Sequence, residues 1–365
     1  MWLLKKVSEE GPVQYLVSEK KFYTVGRKNT DIVLSDNSVS RTHCILNVAV
    51  KNECPFSVNT ITGVWIIDKK SKYGTFIQKN YEWIKIEEEK VEQLSNGSII
   101  RFGVLENIWR LEYKPVIACS SRLSNTQMGE MKRLLATIDG RIVSKWVKQC
   151  NVVFVNDITL TVKVLLALIN GIPIVTMNYL TKLVECVKQN QGWPDYKLFR
   201  PEIKESTLIP SLVSLDVEDH RKELFKGKTF VIPTNEQLEN LRDIIEAAGG
   251  RVELLKLDGN WRQLVNENVI VVQLPCDKII NPDKNASSFR NMASVLKNEY
   301  HTRVVPETEI FQAIAYSSTE KYCSPRSAAF DLRQCSSNQH SQGHVLEEET
   351  PTQSNVRMNV GSENF

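Results

Sequence analysis

The sequence predicts a multidomain protein: an all-β sandwich, two α/β units with parallel sheets flanked by helices, and a disordered C-terminal tail. Three observations predict this. Up to Tyr113 the chain alternates apolar and polar residues in short β-branched runs cut by turn residues, the pattern of half-buried strands. After Pro115 helix-spaced apolar stripes appear between strand-like runs, and a similar order returns about 100 residues later. From Ser317 onward Ser, Gln and Asn dominate, with too little apolar content to offset the entropy of ordering. The expected boundaries are 1–113 for the sandwich, 114–191 and 225–318 for the two α/β units, 192–224 for a polar linker and 319–365 for the tail.

In the first region the strand-like runs are Tyr15-Leu16-Val17, Phe22-Tyr23-Thr24-Val25, Ile32-Val33-Leu34, Cys44-Ile45-Leu46, Val64-Trp65-Ile66-Ile67, Thr75-Phe76-Ile77, Ser98 to Phe102 and Trp109-Arg110-Leu111. Turn clusters such as Asp36-Asn37-Ser38 and Ser95-Asn96-Gly97 separate them, at the spacing of a sandwich. In the next region Val116 to Cys119 reads as a strand. Met131, Leu134, Leu135 and Ile138 then form one helix face that Gly140 stops. Strands at Ile142-Val143 and Val152 to Val155, a helix from Val162 to Ile169, a strand at Ile174-Val175 and a helix after Asn178 complete a βαββαβα order. The second copy has a strand at Phe230 to Ile232, a helix through Leu241 and Ile245, strands at Val252 to Leu255 and Val269 to Val272, a helix near Phe289 to Leu296, a strand at Val304-Val305 and a last helix from Glu307 to Ala315. Gly140-Arg141 and Gly250-Arg251 hold the same place in the two copies, and 274–288 is extra loop in the second.

Composition narrows the function. A hydrophobic fraction of 42% supports packed cores, and a net charge of +3 is too slight for bulk capture of DNA or membrane. No run of 18 apolar residues occurs, so no spanning helix is expected, and Met1 to Lys6 does not read as a secretion signal. The eight cysteines make no C-x2-C or C-x4-C pair, which predicts thiols in a reducing, intracellular compartment. The five histidines, at 43, 220, 301, 340 and 344, form no metal set, and no cofactor is expected.

Three short segments carry chemistry: Gly26-Arg27, Ser40-Arg41-Thr42-His43 and Ser71 to Thr75. Each lies at a strand end, so one rim of the sandwich can gather them. Arg27 offers a planar fork suited to phosphate, Ser40 a hydroxyl donor, and Arg41 and Lys72 further positive charge. With this order of residues, 1–113 resembles the forkhead-associated (FHA) domain, whose signature is Gly-Arg, Ser-x-x-His and Asn-Gly-Thr. The resemblance implies phosphothreonine recognition, with Arg27 and Ser40 on the phosphate and Arg41 and Lys72 beside it. It implies scaffolding roles for Gly26, His43, Gly74 and Thr75. Tyr73 stands where that family has the Asn that holds the peptide backbone.

The repeated α/β units resemble BRCT domains over about 115–190 and 225–318. In that family a Ser or Thr after the first strand and a Lys at the start of the second helix hold phosphoserine. The matching positions are Ser120, with Ser121 in place of the usual Gly, and Lys163, and the helix N-terminus at 161–163 favours an anion. Tyr179 replaces the family's Trp on the third helix. The second copy has no clear Ser/Lys pair, so packing and peptide specificity are its expected roles.

An FHA domain fused to tandem BRCT repeats is similar to the amino-terminal region of a family of regulatory subunits in the nuclease–ATPase complex that senses DNA double-strand breaks. The strings Val25 to Asn29, Ser71 to Phe76 and Gly171 to Val175 fit. The resemblance implies a non-enzymatic adaptor at chromosomal breaks and telomeres in the nucleus. It would read phosphorylated Ser/Thr proteins, namely checkpoint mediators and end-resection factors, alongside nuclease and ATPase subunits and a damage-signalling kinase. The segments that bind the nuclease and the kinase in that family have no visible counterpart in the tail, although Ser341-Gln342 and Thr352-Gln353 are dipeptides of the kind checkpoint kinases favour.

Two other classes compete with this adaptor. A repair enzyme needs a phosphate-binding loop, an H-E-x-x-H helix or an adenylation motif, and none occurs. A direct DNA-binding module has only the mild bias of 116–195 behind it, nine Lys/Arg against five Asp/Glu, which supports weak or indirect contact.

Overall fold

The computed structural model describes residues 1–7, 12–50, 62–256, 261–275 and 284–326. The expected tail lies outside the described residues from 327 onward, as do both Ser/Thr-Gln dipeptides.

Among the described residues eleven strands build the sandwich: β1 (Trp2–Lys6), β2 (Val13–Leu16), β3 (Phe22–Gly26), β4 (Ile32–Val33), β5 (Cys44–Val50), β6 (Thr62–Asp68), β7 (Thr75–Lys79), β8 (Glu82–Lys85), β9 (Val91–Leu94), β10 (Ile99–Phe102) and β11 (Ile108–Tyr113). They form a six-stranded sheet, β2-β1-β11-β10-β7-β8, facing a five-stranded sheet, β4-β3-β5-β6-β9. Alternation places Val25, Leu46, Ile66, Ile100, Phe102 and Leu111 in the space between the sheets. Three strands lie outside the sequence reading: β1, β8 and β9. β1 is buried on both faces, Trp2 and Leu4 inside the sandwich and Leu3 against the neighbouring domain, so its apolar run does not alternate. β8 and β9 are charged strands at the edges of their sheets.

The first α/β domain comprises β12 (Ile117–Ser120), α1 (Asn125–Ala136), β13 (Arg141–Ile142), β14 (Val152–Phe154), β15 (Asp157–Ile158), α2 (Val162–Asn170), β16 (Ile174–Val175) and α3 (Met177–Lys188). Its sheet is parallel in the order β13-β12-β14-β16. Ser124 caps α1 in a reciprocal box with Gln127, and Gly171 ends α2 in a left-handed conformation at φ 67°. Met1, Leu3 and Tyr15 of the sandwich share one core with α1 and α3. Around it the Tyr15 backbone N–H donates to Asn190 Oδ1 at 2.9 Å, the Tyr15 hydroxyl donates to the Gln191 carbonyl at 2.9 Å, and Ser18 N–H donates to the Asp139 carboxylate at 3.0 Å. Burial holds the Tyr15 phenol up at about 12, so it stays a donor at neutral pH. These contacts tie the sandwich to the first α/β domain, next to the short Tyr113-Lys114-Pro115 joint.

The second α/β domain repeats the pattern with β18 (Thr229–Ile232), α4 (Asn235–Ala247), β19 (Arg251–Leu254), β20 (Val269–Val271), α5 (Lys284–Tyr300) and α6 (Glu307–Tyr316), β17 (Glu202–Ile203) lying before it in the linker. The repeat is reproduced in detail. Arg141 pairs with the first residue of β12 and Arg251 with the first of β18, and a Cβ on Gly140 or Gly250 would strike Leu135 or Ile245. The two copies share a core in which α2 packs on α4 and α6, so Val164 to Ile169 are buried on every side of α2.

Three differences from the sequence reading stand out. Val304-Val305 contributes a single bridge, Val305 to Val272, instead of a strand. The helix expected near Phe289 begins at Lys284, inside the stretch read as loop; residues 276–283 lie outside the described residues. Residues 192–224, read as a polar linker, are ordered: β17 pairs with β15, and buried Arg221 donates to the carbonyls of Ser214, Asp216 and Ile314. The described fold also runs past 318, because Cys323 is buried and its N–H donates to Glu309, whose carboxylate meets Arg303 at 2.6 and 2.7 Å.

Candidate phosphopeptide-binding sites

The sandwich gathers all three sequence segments at one apex. Gly26 ends β3 so close to the next loop that a Cβ there would lie 2.1 Å from the Arg41 carbonyl oxygen. That approach lets the Arg27 N–H donate to the Ser40 carbonyl at 3.0 Å. The Ser40 hydroxyl accepts from the Lys72 N–H at 3.0 Å, tying the third loop to the second. His43 lies fully buried beneath: its Nδ1 accepts from Ser40 N–H at 3.2 Å and its Nε2 meets the Gly74 carbonyl at 3.2 Å. This pattern requires the neutral ring protonated on Nε2. Burial lowers the His43 pKa, with Asp68 and the Gly74 carbonyl pulling weakly the other way.

Asp68 organises the third loop and is a residue sequence reasoning missed. Its buried carboxylate accepts from the Ser71 N–H at 2.8 Å, the Ser71 hydroxyl at 2.7 Å and the Thr75 hydroxyl at 2.6 Å. Burial opposes its charge, but these hydrogen bonds outweigh it and hold the carboxyl below the usual value. Thr75 therefore faces inward as a brace, and Gly74 turns the chain at φ 83°.

The cations stay free for a ligand. Arg27 Nε is buried with no hydrogen-bond partner among the described residues, while Nη1 reaches Asn37 Oδ1 at 3.4 Å. Arg41 and Lys72 are exposed at the same apex, Lys72 with its ammonium 5.2 Å from the Tyr73 ring centroid. A dianion here meets a guanidinium, a hydroxyl and two further charges, each charge-assisted bond contributing about 1.5–3 kcal/mol.

The second candidate site lies between β12 and α2. Lys163, in the first turn of α2, donates from Nζ to the Ser120 carbonyl at 3.0 Å. Among the described residues the Ser120 hydroxyl contacts only the weak acceptor Met128 Sδ, at 3.1 Å. Ser121 and Thr161 join their hydroxyls at 2.9 Å, and Thr161 is the N-cap of α2. All three sequence-predicted residues thus converge, and Thr161 is the wall the sequence identified only as a helix start. The helix N-terminus adds a partial positive charge.

The second copy has nothing comparable at the end of β18, where buried Ile232 precedes Pro233. Its polar groups serve packing: the Gln237 amide donates to the Gln273 carbonyl at 2.9 Å and to Glu307 at 2.5 Å. Burial raises the Glu307 pKa. Among the described residues no group of His, Cys, Asp and Glu is placed to hold a metal, and no helix is long and apolar enough to cross a membrane. The described cysteines are buried free thiols.

Comparison with known proteins follows the same domain order. A model of the FHA domain matches residues 23–103, one of the BRCA1 C-terminus (BRCT) domain matches 111–184, and one of the second BRCT domain on Nijmegen syndrome breakage protein matches 219–325. Nibrin from Gallus gallus is 31% identical over 331 residues, 89% of this chain and 43% of that protein. Nibrin from Rattus norvegicus is 30% identical over 309 residues, 83% of this chain and 40% of that protein. The chain thus spans about two-fifths of the length of these relatives. The solved FHA/BRCT-repeat domain of S. pombe Nbs1 superposes with a TM-score of 0.58 at 15% identity, covering 88% of this chain and 97% of that one. In its FHA–BRCT–BRCT region the chain belongs to the nibrin family.

Proposed function

We propose that the chain is a non-enzymatic adaptor of DNA double-strand-break repair and checkpoint signalling that recruits or retains its complex by binding phosphorylated partners. Phosphothreonine would dock at the sandwich apex on Arg27, Ser40, Arg41 and Lys72, and phosphoserine in the first BRCT pocket on Ser120, Ser121 and Lys163. The observation that carries this reading is Arg27: its buried Nε has no partner among the described residues, inside loops that Ser40, His43 and Asp68 hold in place. A preorganised guanidinium with an unsatisfied Nε and only one long bond among the described residues, to Asn37, is a site suited to an anion. FHA and BRCT domains are binding modules, and this supports a role without catalysis.

The setting rests on the relatives. S. pombe Nbs1, with this domain order, is solved as a complex with Ctp1, which supports a protein partner here; that this partner is a phosphorylated end-resection factor is part of the proposal. Checkpoint mediators, nuclease and ATPase subunits, a damage-signalling kinase and a place in the nucleus at breaks and telomeres belong to the same proposal. Tyr73 cannot offer the two amide hydrogens of the family's Asn, so the peptide backbone relies on other groups of the apex. A phosphopeptide array probed with the full chain, Arg27→Ala and Lys163→Met tests the assignment. Each variant should lose a different subset of spots, phosphothreonine for the first and phosphoserine for the second; unchanged arrays would remove the sites.

A further inference from the structure

Strand alternation places a second, separate set of cations on the outer face of the six-stranded sheet. Ile100, Phe102, Trp109 and Leu111 point into the sandwich, so Ile99, Arg101, Ile108 and Arg110 point out. Arg101 pairs across to Phe76, and its guanidinium carbon lies 4.5 Å from the Phe76 centroid and 4.6 Å from that of Trp83. Its Nε is buried without a hydrogen-bond partner among the described residues. Lys5 pairs with Arg110, which pairs with Ile99, and Lys85 pairs with Phe76. The positive charges therefore cross five adjacent strands, about 19 Å at the usual strand spacing. None of Lys5, Lys85, Arg101 or Arg110 has a carboxylate partner among the described residues, and Phe76 and Trp83 join no core cluster. Glu112 shares the face but lies opposite Leu3, at the border with the first BRCT domain.

We propose that this face binds single-stranded nucleic acid, with phosphates on Lys5, Arg101 and Arg110 and bases stacked against the Phe76 and Trp83 rings. The guanidinium held between two rings is already ordered and loses little freedom on meeting a phosphate. The surface is an open sheet, which suits an extended strand better than a small molecule. A second copy docking face to face would set cations on cations about a two-fold axis. A duplex would supply charge but hide its base faces from the rings.

The test uses the full chain and fluorescence anisotropy with an oligo(dT) of about 20 nucleotides at about 50 and 200 mM salt. Micromolar binding at low salt is expected, with log affinity falling against log salt at a slope of about −2 for three phosphate contacts. Arg101→Ala, Arg110→Glu and Trp83→Leu should each weaken it by about fivefold or more, while phosphothreonine-peptide affinity stays unchanged and certifies the fold. Failure of wild-type protein to bind, Trp83→Leu binding like wild type, or equal affinity for duplex or for a Glu-rich peptide would overturn the proposal.

Discussion

The two proposed phosphate sites are built by opposite constructions. The FHA apex is made of three loops, and side chains hold it: His43 bridges two loops, Ser40 receives the third, and Asp68 takes three donors. The BRCT pocket is made of a strand end and a helix start, which sheet and helix hydrogen bonds place, and side chains only finish it. The first should therefore fail when a buried brace titrates or is cut. The second should tolerate everything short of losing its charge or its helix cap.

The largest expected effect separates the sites outright. Arg27→Ala should weaken binding of a phosphothreonine peptide about 100-fold, because a charge-assisted fork is lost. Isothermal calorimetry would see this beside an unchanged melting temperature. Lys163→Met should weaken a phosphoserine peptide about tenfold and leave the phosphothreonine peptide alone, since one of several donors is removed. Thr161→Ala removes both the α2 cap and the partner of Ser121, and should cost about 1 kcal/mol in a denaturant melt with a two- to threefold loss at the pocket.

The smallest effect sharpens the contrast through pH. His43 has a folded pKa below the ordinary 6.5, so just below that value the unfolded chain takes up a proton that the folded chain refuses. The His43 contribution to sandwich stability is then present in full above pH 6.5 and declines as pH falls toward the folded value. Hydrogen exchange of the Ser40 amide, measured without ligand, should lose protection over that range. The BRCT pocket is built from Ser120, Ser121, Thr161 and Lys163, without a histidine, so the Ser121 amide should keep its protection. Loss at both amides alike would erase the distinction.

Much of this was legible in the residues because it repeats or alternates. Gly140-Arg141 and Gly250-Arg251 announced the duplicated unit, and both glycines prove to be fixed by the same close approach. Arg27 and Ser40 were readable because a charged or hydroxyl group at a strand end carries its chemistry locally, whereas Lys163 entered through the BRCT resemblance. Asp68 was not, since its role exists only once β6 brings it beneath Ser71 and Thr75. β1 was masked by burial on two faces, and β8 and β9 by edge positions that need no alternation. The Arg101 ladder required the β7–β10 and β7–β8 registers, which depend on pairing and not on composition.

The most direct test of the central claim is a titration of the full chain with one peptide in two forms, carrying phosphothreonine or plain threonine. The account predicts micromolar binding of the phosphorylated form, at least about 30-fold tighter than the plain one, with the difference vanishing in Arg27→Ala. Equal affinity for the two forms, or a preference that survives Arg27→Ala, would contradict it.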